Sequence, residues 1–285
     1  MAQSNSCHRW KARGFDLDLE QRVAIMGVVN VTPDSFSDGG RYHDADRAVE
    51  HGIELVAHGA QIVDVGGEST RPGADPVSVE QQIERVVPVI RRLRGEIDAL
   101  ISVDTSRAAV AQAAIDAGAV IVNDISALSA DPQMADTVAR NGAGLVLMHM
   151  RGEPRNMQHD PVYDDVVSEV IEYLEAAKAR ALAAGIQPTA LAVDPGIGFG
   201  KTVGHNLSLL KHLARIARAG RPVLIGASRK AFIGVLSGAE VDQRLMGTAA
   251  SVTAAILAGA RVVRIHDVGE LRQTVQLAEA IRNAS

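Results

Sequence analysis

Residues 100–124 read LISVDTSRAAVAQAAIDAGAVIVND, and this stretch decides the fold. Leu100 to Asp104 is a short, nearly continuous apolar run, the pattern of a strand buried on both faces. Residues 106–117 have the composition and spacing of a helix packed on such a strand, and Gly118 stops them. Asp104-Thr105-Ser106 offers side chains that can cap this helix. Val120 to Asp124 is a second apolar run, so the stretch is one strand–helix–strand unit of the kind that builds parallel sheets.

The unit recurs along the chain. Apolar runs occur at Ile25 to Asn30, Gln61 to Val65, Leu100 to Asp104, Val120 to Asp124, Gly144 to His149, Leu191 to Asp194, Pro222 to Gly226 and Arg261 to His266. Helical stretches are predicted at 44–58, 78–94, 106–117, 131–141, 163–184, 205–218, 244–258 and 268–282, with Gly142, Gly185 and Gly259 as further stops. Eight strand–helix units give an α/β fold, a (β/α)8 TIM barrel. No linker-like or low-complexity segment divides the 285 residues, which read as one domain: an extension over 1–24 and a barrel over 25–283. Residues 10–24 read as a short hairpin covering the barrel floor.

Composition agrees with this and excludes several functions. Hydrophobic residues make up 47% of the chain and aromatics 3%, which suits a large aliphatic core. A net charge of −5 without a long basic run argues against nucleic acid and anionic membranes as partners. Cys7 is the only cysteine, which rules out an intramolecular disulfide and a cysteine metal cluster and fits a reducing cytoplasm. Met1 to Asp18 is polar and carries no secretory signal, and no segment reaches the ~20 continuous apolar residues of a membrane span. The expectation is a soluble cytoplasmic protein.

Polar residues end nearly every strand: Asn30, Asp64, Asp104, Asn123 with Asp124, His149, Asp194 and His266, while the seventh leads to Ser228-Arg229-Lys230. Asp and Asn do start turns and cap helices. Capping does not favour His or Lys, however, and the strand ends of a barrel converge on the face where active sites lie. Arg264 and His266 are two apart on a strand and so share a face, as in an anion site. His149 reads as a hydrogen-bonded structural histidine.

Three loops add detail. Gly67-Glu68-Ser69-Thr70-Arg71-Pro72-Gly73 combines hydroxyls, an arginine and loop formers suited to phosphate. Asp194-Pro195-Gly196-Ile197-Gly198-Phe199-Gly200-Lys201 lets backbone approach a flat ligand beside Phe199. Its Gly200-Lys201-Thr202 tail mimics a nucleotide loop, but Pro195 stands where that motif needs glycine. Ser228 lacks the glycine two residues on that a hydrolase elbow requires, since Lys230 is there. The first strand ends in Asn30 where a barrel metallohydrolase would carry a His-x-His pair.

Together these motifs resemble the dihydropteroate synthase family over nearly the whole chain. The resemblance rests on Met26 to Gly40 (MGVVNVTPDSFSDGG), Asp64 to Gly73, Ser102 to Thr105, Asn123-Asp124, Leu147 to Met157, Asp194 to Lys201, Ser228 to Lys230 and Arg264 to Asp267. It implies condensation of a dihydropterin methyl diphosphate with 4-aminobenzoate by an SN1-like displacement, with release of pyrophosphate. Asp104, Asn123, Asp194 and Lys230 match the family's pterin-binding positions. Ser69, Thr70, Arg71, Arg264 and His266 match the diphosphate site, and Asn30 matches the Mg²⁺ ligand; Asp64 supports that region. Thr70, Pro72, Phe199 and Ser228 are the expected walls for 4-aminobenzoate. Arg71, Lys230, Arg264 and His266 are the catalytic candidates. Loops 31–40 and 67–74 are expected to close over pyrophosphate, and the family implies a homodimer and competition by sulfonamides. Two rivals remain: a pterin-binding methyltransferase barrel serving a corrinoid partner, and a silent pterin-binding barrel. Neither needs the Ser-Thr-Arg-Pro loop or Arg264 with His266.

Overall fold

The computed structural model describes residues 8–31, 40–69, 76–153, 155–218 and 220–284. Two short antiparallel strands, β1 (Arg9–Ala12) and β2 (Phe15–Asp18), precede the barrel. The wall consists of β3 (Ala24–Asn30), β4 (Ile62–Gly66), β5 (Leu100–Asp104), β6 (Ile121–Asp124), β7 (Gly144–Met148), β8 (Leu191–Asp194), β9 (Leu224–Ile225) and β10 (Val262–Ile265). They pair in the order β8-β7-β6-β5-β4-β3-β10-β9, every pair parallel. A parallel bridge between Val193 and Val223 joins β8 to the approach to β9 and closes the ring.

The helices are α1 (Gly40–Ala57), α2 (Val79–Glu96), α3 (Ala108–Ala117), α4 (Met134–Asn141), α5 (Val166–Ala183), α6 (Val203–Lys211), α7 (Leu213–Ala217), α8 (Ala231–Ser237), α9 (Leu245–Leu257) and α10 (Val268–Asn283). Three details differ from the sequence reading. The helix expected over 205–218 is two, broken at His212, whose ψ of 17° departs from helical geometry. The seven-residue α8 has no counterpart among the expected helices. The predicted cap of α3 sits differently: Thr105 Oγ1 accepts from Arg107 N (3.1 Å), while Asp131 Oδ2, from the loop after β6, accepts from Ala108 N (2.9 Å).

Strand residues alternate between the helix layer and the barrel interior. The lower interior is filled by Ala24, Met26, Ile62, Ile121, Val146, Ala192, Leu224 and Val262, at or near the strand starts, together with Trp10 and Phe15. The hairpin therefore seals the floor, as expected. Trp10 is fully buried, meets Phe15 edge-on at 5.5 Å, and its indole N–H donates to Ala190 O (2.9 Å). Further up the same interior columns, apolar residues give way to Asn30, Asp64, Asp104, Asn123, Asp194 and Arg264.

Candidate active site

Pairing register puts Asp104 beside Asn123 on one side and beside Gly66 on the other, and Gly66 beside Asn30. A side chain at Gly66 would start 3.5 Å from Asp104 Cβ and 3.7 Å from Asn30 Oδ1, so the glycine leaves the mouth open between them. Into this space Arg264 reaches from β10. Its Nε donates to Asp64 Oδ2 (2.6 Å) and its Nη2 to Asp104 Oδ2 (2.9 Å). Asn123 Nδ2 donates to the same Asp64 oxygen (3.0 Å), which orients the amide with Oδ1 as its remaining acceptor. The expected separation into pterin residues and diphosphate residues is thus bridged at Arg264, which is ion-paired to an aspartate of the first group.

Burial raises the Asp104 carboxyl to about 7 despite Arg264, and Asp64 and Asp124 add to the effect. Burial likewise raises Asp194 to about 6, opposed by the Gly196 N–H that Asp194 Oδ1 accepts (2.7 Å) and by Lys230. Lys230 is pushed down to about 8 by burial and by Arg264, while Asp194 and Asp104 pull it back. Its ammonium stands 4.1 Å from the centre of the Phe199 ring, a cation–π contact. Asp124 has a different task. It turns away to accept from Ser126 N (2.8 Å), Ser126 Oγ (2.7 Å) and Leu128 N (2.7 Å), and so shapes the loop after β6.

His266 follows β10. Its Nδ1 lies 3.0 Å from Ser228 Oγ, which also accepts from His266 N (3.2 Å). Burial and then Arg264 lower the imidazole to about 3, so in the unliganded site the ring is neutral. Ser228, expected as a wall, has its hydroxyl committed to His266. Next to it Arg229, at φ 56°, pairs with Asp267. Asn30, His266, Arg229 and Asp267 face a cavity of about 400 Å³ beside the barrel mouth.

Ser69 ends the described part of its loop. Thr70, Arg71 and Pro72, and most of loop 31–40, lie outside the described residues. The far flank of the 67–74 loop is anchored at Glu68, whose carboxylate accepts from Val77 N (2.9 Å) and Gln82 Nε2 (3.2 Å). Glu68 stood in the motif without a role. Asn30 presents one amide oxygen, and no group of three or more His, Cys, Asp or Glu side chains suited to a metal occurs among the described residues. A single oxygen fits Mg²⁺, which keeps most of its waters and binds phosphate oxygens.

Two residues gained importance over their sequence reading. Asp64 is fully buried and is the shared acceptor for Arg264 and Asn123. Lys201, which looked like the tail of a nucleotide loop, is buried under the site.

Known proteins with this arrangement are numerous. The family model for pterin binding enzymes matches residues 26–266. The dihydropteroate synthase of Synechocystis sp. is 43% identical over 265 residues, 93% of this chain and 92% of that protein. The structure of Yersinia pestis dihydropteroate synthase in a sulfonamide drug complex superposes with a TM-score of 0.91 at 43% identity, covering 97% of this chain and 100% of the other. The Xanthomonas albilineans enzyme with 4-aminobenzoic acid also gives 0.91, at 44% identity and 98% and 99% coverage. Identity at this level over almost the full length of both partners shows that the chain belongs to the dihydropteroate synthase family of pterin binding enzymes.

Proposed function

We infer that the protein is a transferase of folate biosynthesis, condensing (7,8-dihydropterin-6-yl)methyl diphosphate with 4-aminobenzoate to give 7,8-dihydropteroate and pyrophosphate. The observation that carries this reading is the buried constellation of Asp64, Asp104, Asn123 and Arg264 at the strand ends of a barrel belonging to this family.

The amino-pyrimidine edge of a pterin is rich in donors, and Asp104, Asp194 and Asn123 Oδ1 are acceptors for it, with Lys230 beside the ring. The diphosphate goes to Ser69, Thr70, Arg71, Arg264 and His266. Asn30 would hold Mg²⁺, which when bound would supply charge neutralisation to the leaving pyrophosphate. Arg264, held in place by Asp64 and Asp104, meets charge that develops on the diphosphate oxygens, with Arg71 as the second cation that the motif implies. The electron-rich dihydropterin stabilises the positive methylene, and the neutral arylamine then attacks it in an SN1-like displacement. Phe199, Thr70 and Pro72 form the aminobenzoate walls, and Ser228 contributes by holding His266.

With both substrates and Mg²⁺, the purified protein is expected to form dihydropteroate and release pyrophosphate, and to stop when Mg²⁺ is chelated. Pterin binding without product would support the silent barrel, and methyl transfer from a reduced folate the corrinoid pathway. Arg71→Ala is expected to impair turnover and aminobenzoate capture while sparing pterin affinity; normal turnover in this variant would remove Arg71 from the site. Sulfonamides are expected to compete with 4-aminobenzoate, and unchanged turnover in large sulfonamide excess would contradict the assigned pocket.

None of the described helices is long and apolar enough to cross a membrane. A homodimer is supported by the exposed apolar side chains Val235, Leu236, Val241 and Met246 on and between α8 and α9. Val235→Asp with Met246→Asp is expected to shift the protein to monomer in sedimentation; an unchanged mass would place the interface elsewhere.

A further inference from the structure

Lys201 is 3% exposed, and nothing in the proposed chemistry uses it. Its ammonium lies 2.9 Å from His149 Nδ1 and 2.9 Å from Phe199 O, with His149 O more distant at 3.5 Å. His149 is equally buried and stands edge-on to the Tyr173 ring at 4.8 Å. Burial lowers His149 to about 3, with Lys201 adding to it, which leaves a neutral ring whose Nδ1 can accept. Burial also pushes Lys201 down to about 7 against the pull of Asp194. Burying an ammonium costs several kcal/mol, and a well-packed apolar side chain would often hold a loop at least as well. The cost points to a role beyond stability.

The loop this lysine holds is clamped along its length. Gly196 passes so near His149 that a Cβ would lie 1.9 Å from its carbonyl oxygen, and its φ of 69° favours glycine for a second reason. Tyr163 Oη donates to Gly200 O (2.8 Å), Gln158 Nε2 to Gly198 O (2.6 Å), and Asn206 Oδ1 accepts from Gly198 N (2.8 Å). What the clamp presents is Phe199, whose ring carries the Lys230 ammonium at 4.1 Å. Lys201 bonds the backbone of that same phenylalanine.

We propose that Lys201 is a positioning residue for the transfer reaction: clasped between His149 Nδ1 and the Phe199 carbonyl, it fixes the Phe199 ring as the aminobenzoate wall and as the platform beneath Lys230. The proposal rests on the assignment of Phe199 and Lys230 given above. His149, outside the reacting set, is then the anchor of the clasp.

Steady-state kinetics with both substrates tests this in four proteins: wild type, Lys201→Met, Phe199→Ala and the double variant, each checked for folding by thermal melt. Lys201→Met is expected to raise KM for 4-aminobenzoate about tenfold with a much smaller change in kcat, the mark of lost binding. In the Phe199→Ala background the same substitution should change that KM by less than about twofold, because contacting residues that act as a unit are not additive. An equal KM change in both backgrounds, or equal losses in kcat and in the KM of both substrates, would overturn the clasp. If Phe199→Ala raises the KM but Lys201→Met does not, the clasp alone is wrong. If Phe199→Ala leaves it unchanged, the wall assignment fails and the clasp with it. Should Lys201→Met not fold, the exposed Gln158→Ala removes another tie of the same loop. It is expected to raise the KM about threefold, again only when Phe199 is present; an equal rise without Phe199 overturns the proposal.

Discussion

Replacing Arg264 by methionine is expected to destabilise the protein by roughly 3–5 kcal/mol at pH 8 and to reduce turnover by about a hundredfold or more. The guanidinium is the counter-ion of two carboxylates at once, Asp64 at 2.6 Å and Asp104 at 2.9 Å. Asp64 is fully buried; its Oδ2 serves Arg264 and Asn123, and its Oδ1 has no hydrogen-bond partner among the described residues. Without Arg264 the amide of Asn123 alone faces that charge. Loss of the cation raises the Asp104 carboxyl further, in the folded state only. The variant then loses stability as pH rises, and its deficit relative to wild type should be larger at pH 8 than at pH 5.5. Urea unfolding at the two pH values measures the gap. A deficit below about 1 kcal/mol at pH 8 would mean that the pair is screened like a surface contact.

Asp104→Asn separates binding from folding. As a charged acceptor for the pterin, Asp104 is worth about 1.5–3 kcal/mol, so the asparagine variant should bind the pterin diphosphate roughly 10- to 150-fold more weakly. Its effect on the ligand-free fold runs the other way. Burial raises this carboxyl from an ordinary 3.8 to about 7, so its contribution to stability is complete below 3.8 and is lost as pH rises through 7. Asparagine carries no such proton. The variant should melt no lower than wild type at pH 8, and its melting temperature should depend less on pH between 4 and 8. Wild-type affinity would remove Asp104 from the pterin site. A melting temperature several degrees below wild type at pH 8 would show that pairing with Arg264 outweighs burial. The carboxylate is thus held at a cost to the fold, as functional groups commonly are.

The barrel was legible because each buried strand is a local event: a few apolar residues, then a polar one, then helical spacing and a glycine. Leu100 to Asp104 and Leu191 to Asp194 were read to the residue for that reason. Elements whose limits depend on tertiary contacts were not. The break at His212 and helix α8 rest on packing among α5, α6, α7 and α9, which no local period encodes. The members of the site were equally legible, since Asp, Asn, Arg and His at strand ends stand out against an aliphatic background. Their pairings were not, because Arg264 meets partners 160 and 200 positions away in sequence. Lys201 was obscured by its setting, a glycine-lysine-threonine sequence that mimics a nucleotide loop ruled out by Pro195, and its contact with His149, 52 positions earlier, could not be seen.

The hairpin that seals the floor constrains the order in which the molecule is made. Trp10 leaves the ribosome before any strand of the barrel, yet its indole partner is Ala190, 180 positions later, and the strand that completes its surroundings begins at Val262. β3 likewise waits for β10 as one of its two neighbours. During synthesis a buried tryptophan and its apolar companions therefore remain without their native cover until the last barrel strand has emerged. Ring closure and plugging are late, long-range events, costly in loop entropy and slow. The nascent barrel is thus most exposed to misassembly at this hairpin.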